Sequence, residues 1–137
     1  MGVGCKIQHR EQEIDMYTYN AKVISVYDGD TIRVDIDLGF GVWLKKQSIR
    51  LRGIDAPEIR GESREAGIRA RDRLRELLME NMNKCVIETY KYNDRGKYGR
   101  IIGEIFINEI DRDSIKGSMR SANKILLHEN LVEEYVE

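Results

Sequence analysis

Ile49 to Glu58, IRLRGIDAPE, decides how this chain is read, because a strand-like alternation runs there into an acid, a proline and a second acid. Strand side chains alternate between faces, so Arg50 and Arg52 share one face and Leu51 takes the other. Pro57 fixes its own φ, removes a backbone donor and biases Ala56 toward an extended conformation. Asp55 and Glu58 are thereby held on either side of a stiff element. Such a placement suits a functional site, but Asp and Pro are equally ordinary residues of a plain turn. The flanking sequence decides between the two.

Upstream, Tyr17, Tyr19, Ala21 and Val23, then Ile24 and Val26, read as one strand whose register changes once, as a bulge would cause. Asp28-Gly29-Asp30 is a turn signal. Thr31 to Leu38 alternates Ile32, Val34, Ile36 and Leu38 inward against Arg33, Asp35 and Asp37 outward, completing a hairpin. Gly39-Phe40-Gly41 turns the chain again, and Trp43 to Ile54 is the third strand.

Downstream, the period changes. Ala66, Ala70, Leu74, Leu77 and Leu78 lie on one face of a helix within Gly61 to Asn81, with Arg and Glu opposite. Ser63 lacks the acidic partner of a full capping box, so the helix start is left open. Lys84 to Tyr92 and Tyr98 to Ile107 return to strand. Ser118 to Glu129 reads as a second helix with Met119, Ala122, Ile125 and Leu126 inward, and Asn130 is its stop. Three strands, a helix, two strands and a helix are the order expected of an α+β, five-stranded Greek-key β-barrel of the oligonucleotide/oligosaccharide-binding (OB) type. Periodicity alone also admits other five-strand α+β arrangements.

The 137 residues are enough for one domain with a sizeable core. An apolar fraction of 41% and a formal net charge of −1 exclude disordered, collagenous and membrane-spanning classes. Near-neutrality offers no global attraction to nucleic acid, so any anion site must come from local clustering. Residues 1–15 carry no sustained period and are expected to form a disordered leader or extension, with a single domain over 16–137. The polar run Gln8 to Glu13 interrupts any secretory core, so a cytoplasmic monomer without membrane contact is expected. Lys6 stands where a myristoylation pattern needs Ser or Thr. Cys5 and Cys85 are too few for a disulfide framework, and Cys85 alternates with Ile87 as a core residue would.

Three carboxylates, Asp28, Asp30 and Asp55, sit in turn contexts. If the first hairpin turn lies beside the end of the third strand, Asp30 and Asp55 can share a hard cation such as Ca²⁺ with a backbone carbonyl; otherwise the first two are hairpin-turn residues. Arg50 and Arg100 carry the rigid fork that matches phosphate oxygens, although an arginine alone is more often a solvated strand residue. Lys97-Tyr98-Gly99-Arg100 combines a cation, an aromatic that can stack on a base, and that fork. Glu58 can act as a general base for water or stand as a surface charge. The arginines from Arg64 to Arg75 alternate with Glu65, Asp72 and Glu76 and read as a solvated, ion-paired helix face. His9 and His128 lie far apart and suggest neither a triad nor a zinc site.

Taken together, VYDGDTIRV at 26–34, IRLRGIDAPE at 49–58 and KYGRIIGEIF at 97–106 resemble the three signature blocks of the staphylococcal nuclease (thermonuclease) family, in order and at compatible spacing. The likeness covers about Tyr19 to Val132. It implies the same five-stranded barrel and Ca²⁺-dependent hydrolysis of phosphodiester bonds in DNA and RNA. It implies Asp30 and Asp55 as direct calcium ligands, the Ala56 carbonyl as a third, and Asp28 acting through water. Arg50 and Arg100 match the family's phosphate-binding arginines, Glu58 its general base, and Lys97 and Tyr98 its contacts to the nucleotide's terminal phosphate. Ala56 departs from the Thr of the best-known member, the family's third helix is not expected, and its stacking tyrosine pair has only Tyr135 as a loose counterpart. Catalysis is expected to survive these departures, with affinity or stability reduced. The competing reading is a non-catalytic nucleic-acid-binding or scaffolding module on the same barrel. Retention of Asp30, Arg50, Asp55, Glu58 and Arg100 favours the enzyme.

Overall fold

A long first strand explains how the sheet closes. In the computed structural model, which describes residues 16–90, 100–108 and 119–136, β1 spans Met16–Asp28. Its first half pairs antiparallel with β5 (Lys84–Tyr90), and its second half pairs with β2 (Thr31–Gly39). Register shifts between Val23 and Ser25 and between Val26 and Asp28 bend the strand so that it can serve both neighbours. The expected bulge is therefore present. It turns Ile24 outward to 50% exposure, correcting its expected inward place.

β3 (Val42–Leu51) continues the hairpin, and β6 (Ile101–Asn108) pairs antiparallel with β5 and parallel with β3. The order β3-β2-β1-β5-β6, with β6 returning to β3, is the closed five-stranded barrel expected from the pattern. Closure removes sheet edges and fills the interior with Ile32, Val34, Ile49, Leu51, Ile87 and Ile105, all fully buried. Each such side chain contributes about 1.5–3 kcal/mol relative to exposure. Leu38, expected inward, is exposed because it lies at the far end of the β2–β3 hairpin, beyond the packed interior.

Three short strands lie outside the five. β3 stops at Leu51 rather than running to Ile54; after a turn at Arg52–Gly53, β4 (Ile54–Asp55) pairs with β8 (Glu133–Glu134). β7 (Met119–Ser121) adds to the outer side of β6. That pairing delays the second helix, α2, to Ala122–His128, where the Ser121 hydroxyl accepts from the Lys124 N–H as an N-cap. Met119 is accordingly exposed rather than core. Asn130 ends the segment at φ 59°, as its side chain tolerates.

The first helix, α1 (Arg64–Glu80), follows a 3₁₀ turn at Gly61–Ser63 and buries Ala70, Leu74, Leu77 and Leu78 against the barrel. Ser63 does not cap it; its hydroxyl donates to the carbonyls of Glu58 (2.7 Å) and Arg60 (3.1 Å), bracing the loop before the helix. Buried Asn123 ties α2 to the barrel: its side chain accepts from the Ile105 N–H (3.1 Å) and donates to the Arg52 carbonyl (2.8 Å). Arg52 itself reaches Glu104 (3.6 Å) and Glu88 (3.8 Å), a structural bracket across β5 and β6. Cys85 is core, and burial pushes its thiol up to about 12. Among the described residues no helix is long and apolar enough to cross a membrane. Residues 1–15 lie outside the described residues.

Candidate active site

Cross-strand register builds one side of the site. Asp28, Thr31 and Arg50 stand in a row across β1, β2 and β3, because Asp28 pairs with Thr31 and Thr31 with Arg50. The β1–β2 turn closes locally: the Asp30 N–H donates to Asp28 Oδ1 at 3.1 Å. Asp30 is buried, yet its carboxylate is satisfied, accepting from the Thr31 hydroxyl (2.9 Å) and from the Ala56 N–H (2.8 Å). The second of these bonds spans 26 positions and brings the two acidic turns together. Gly29 allows the approach, since a Cβ there would lie 2.7 Å from the Ala70 Cβ and 2.9 Å from the Ala56 Cβ. Ala56 is therefore packed against the turn as well as bonded to it.

Arg50 lies between the carboxylates. Its Nη2 is 3.6 Å from Asp30 Oδ2 and 3.5 Å from Asp55 Oδ1, while Nη1 donates to the Leu51 carbonyl at 2.9 Å. Neither carboxylate contact has the short bidentate geometry of a saturated pair, so the guanidinium is held in place without being fully committed. Tyr135 covers it: the Tyr135 N–H donates to the Gly53 carbonyl at 2.9 Å, and the ring centroid lies 5.7 Å from Arg50 Cζ. The loose counterpart read from the sequence thus sits against the site. What puts it there is the two-residue β4–β8 pairing, which leaves no periodic signal.

Glu58 is exposed and its Oε2 accepts from Arg60 Nε at 2.8 Å, a partner that helical spacing did not reveal. It shares a cleft of about 490 Å³ with Asp28, Tyr27, Arg60 and Arg71. Helix α1 lies directly on this loop at Gly67, where a Cβ would fall 2.7 Å from the Pro57 carbonyl oxygen and 2.8 Å from that of Glu58. Arg100, on the approach to β6, borders an adjoining groove that Asp28 and Tyr27 also line. Lys97 and Tyr98 lie outside the described residues. The α1 arginines are largely ion-paired, as read: Arg73 with Glu76 and Glu129, Arg71 with Asp72.

Burial first, then the hydrogen bond and charge of Asp30, push the Asp28 carboxyl up to about 6, against the opposing pull of the Asp30 N–H and Arg50. Among the described residues no three His, Cys, Asp or Glu side chains gather to hold a metal by themselves. The set is instead two carboxylates that share the Arg50 nitrogen, the Ala56 backbone beside them and Asp28 behind. The carboxylates are hard oxygen donors of the kind Ca²⁺ takes, whereas the Ala56 group that meets them is its N–H.

The edge of the OB-type barrel thus brings Asp30 and Asp55 to Arg50, with Arg100 bordering the adjoining groove. The family model described as staphylococcal nuclease homologue matches residues 48–135, and the chain belongs to that family. Membership makes this domain a nuclease or a nucleic-acid-binding module, in a family whose members are generally nuclease hydrolases. Comparison with curated proteins finds no match.

Proposed function

We propose that the domain is a Ca²⁺-dependent nuclease that hydrolyses phosphodiester bonds of DNA and RNA by attack of water. The observation that carries this reading is the convergence of Asp30, Asp55 and Arg50, two acids and a fork meeting at one guanidinium nitrogen. The two acids of Arg52, Glu88 and Glu104, are largely covered, whereas Asp55 stands exposed beside Arg50, within reach of a ligand.

Asp30 and Asp55, with the Ala56 carbonyl and Asp28 through water, would hold the cation. When bound, it supplies Lewis-acid polarisation and a template for the phosphate. Arg50 gives up its long carboxylate contacts for phosphate oxygens and binds them more strongly as charge grows on the phosphoryl group, which lowers the barrier and not only KM. Arg100 approaches the same phosphate from the groove side. Glu58 accepts the proton of the attacking water; its solvated pairing with Arg60 is readily exchanged. Lys97 and Tyr98 contact the terminal phosphate of the nucleotide.

The test is product analysis of a labelled oligonucleotide incubated with Ca²⁺ and either the native chain or D30N/D55N. Fragments from the native chain alone support the reading. Binding without fragments from either establishes the non-catalytic module instead.

A further inference from the structure

A second polar row runs parallel to the site row. Arg33 pairs with Ser25 on β1 and with Ser48 on β3, so two serines stand level with it across three strands. Arg33 is two residues from Thr31 along β2 and Ser48 two from Arg50 along β3, which puts the rows about 7 Å apart on the same face of those two strands. That separation is about one step between neighbouring phosphates of an extended polynucleotide strand.

The row forms the floor of a groove of about 580 Å³ that Arg75, Arg100 and Tyr27 also border. Arg75 comes from α1, and its Nη2 donates to the Val26 carbonyl at 3.2 Å. This bond fixes the guanidinium over the groove even though Nη1 keeps a long 3.7 Å contact to Asp72. Among the described residues Arg33 has no ion-pair partner. Among the described residues that line the groove Asp28 is the one acid, so unpaired Arg33 gives it a local positive charge that the near-neutral chain as a whole lacks. Tyr27 is 77% exposed on the ridge between this groove and the Glu58 cleft. A large aromatic ring left in solvent beside fixed cations suits an unstacked base, which a duplex does not present.

We propose that this groove is a subsite for single-stranded polynucleotide, in which Arg33 and Arg75 bind the phosphodiester next to the one at Arg50 and Tyr27 stacks on the intervening base. The proposal rests on the reading of the domain as one that acts on nucleic acid, and it deepens that reading by naming the strand state and a contact one nucleotide away from the reacting phosphate.

The experiment is fluorescence anisotropy of a labelled single-stranded oligonucleotide, with chelator present to keep the strand intact, over a range of salt concentrations. R33A/R75A is compared with K84A/K124A, which removes the same charge from surfaces away from the groove. R33A/R75A is expected to weaken binding about tenfold or more, through lost charge-assisted bonds. It should also flatten the slope of log K against log salt by about 0.7, one phosphate contact on a single strand. Y27A is expected to weaken binding about tenfold with the slope unchanged. A single methylphosphonate in the oligonucleotide, which removes the charge from the ligand and leaves the protein's fold untouched, should weaken binding to the native chain more than to R33A/R75A.

Equal affinities and slopes for the two double variants overturn the subsite, as does failure of the native chain to bind a single strand. Hydrolysis of the p-nitrophenyl ester of thymidine 5′-phosphate by the native chain with Ca²⁺ separates the two readings. Hydrolysis together with indifference to R33A/R75A removes the subsite and keeps the nuclease. Binding that depends on Arg33 and Arg75, without hydrolysis, keeps the subsite and removes the nuclease.

Discussion

Arg50 Nη2 lies 3.5 Å from Asp55 Oδ1, and the same nitrogen is 3.6 Å from Asp30 Oδ2. One guanidinium thus links the acid of the first hairpin turn to the acid that follows the third barrel strand. Arg50→Lys retains the charge but loses the planar fork, and a point charge cannot both span the acids and grip two phosphate oxygens. Its kcat/KM for oligonucleotide hydrolysis is expected to fall about 100-fold or more, with the melting temperature much less affected. Native-like kinetics would remove Arg50 from the reaction.

Glu58 is tied into the site by its cleft, not by burial, so a change there should be kinetically selective. Glu58→Gln keeps the shape and loses the base. Steady-state kinetics should give a kcat reduced about 10²- to 10⁴-fold, and calorimetric Ca²⁺ binding should match the native chain. Unchanged turnover would reassign Glu58 to the solvated surface.

Gly67 tests the link between helix and loop. The atoms a Cβ would meet are backbone oxygens of Pro57 and Glu58, which no rotamer change can move aside. Gly67→Ala should therefore shift the acidic loop, costing about 1–3 kcal/mol of stability in denaturant titration and most of the hydrolytic rate. If both stay native, α1 does not rest on that loop.

The pH dependence follows from Asp28. Its carboxyl is raised from 3.8 to about 6, so between these values the folded chain holds a proton that the unfolded chain has released. The contribution of this group therefore falls as pH rises through that window and is level above it. Asp35 and Glu129 act in the opposite sense, because the Lys46 N–H and the Arg73 guanidinium hold their carboxyls below the ordinary range. Their contribution is present above that range and lost as pH falls through it. D28N isolates the first effect. With chelator present, the melting temperature of the native chain minus that of D28N should decline from about pH 4 to about pH 6. A flat difference would contradict the burial of Asp28 beside Asp30.

The five barrel strands and α1 were legible because each, apart from the bulged β1, keeps one period over a long enough run. Ile24 and Leu38 were misassigned because alternation does not tell where a bulge or hairpin end turns a side chain outward. The late start of α2 depends on β7 pairing to β6, a contact that local pattern does not carry. The acids of the site were legible through turn chemistry, and Arg50 through its strand position. Tyr135 against Arg50 was only loosely anticipated, and the Arg60 partner of Glu58 was missed, since both contacts arise from irregular chain. Gly67 carried no signal at all: a glycine in a helical run looks like a weakness until a carbonyl is found beneath it. Ala56, the departure from the family pattern, is packed against Gly29 and donates its N–H to Asp30, so its backbone role does not depend on a hydroxyl.

The central claim is that this barrel edge cleaves phosphodiesters with Ca²⁺. The most direct measurement is the initial rate of single-stranded DNA degradation by one preparation of the native chain, with Ca²⁺ and then with excess chelator. Degradation with Ca²⁺, its loss under chelation and its return when Ca²⁺ is restored are the predicted result. Degradation that continues unchanged under chelator, or none under either condition, would contradict it.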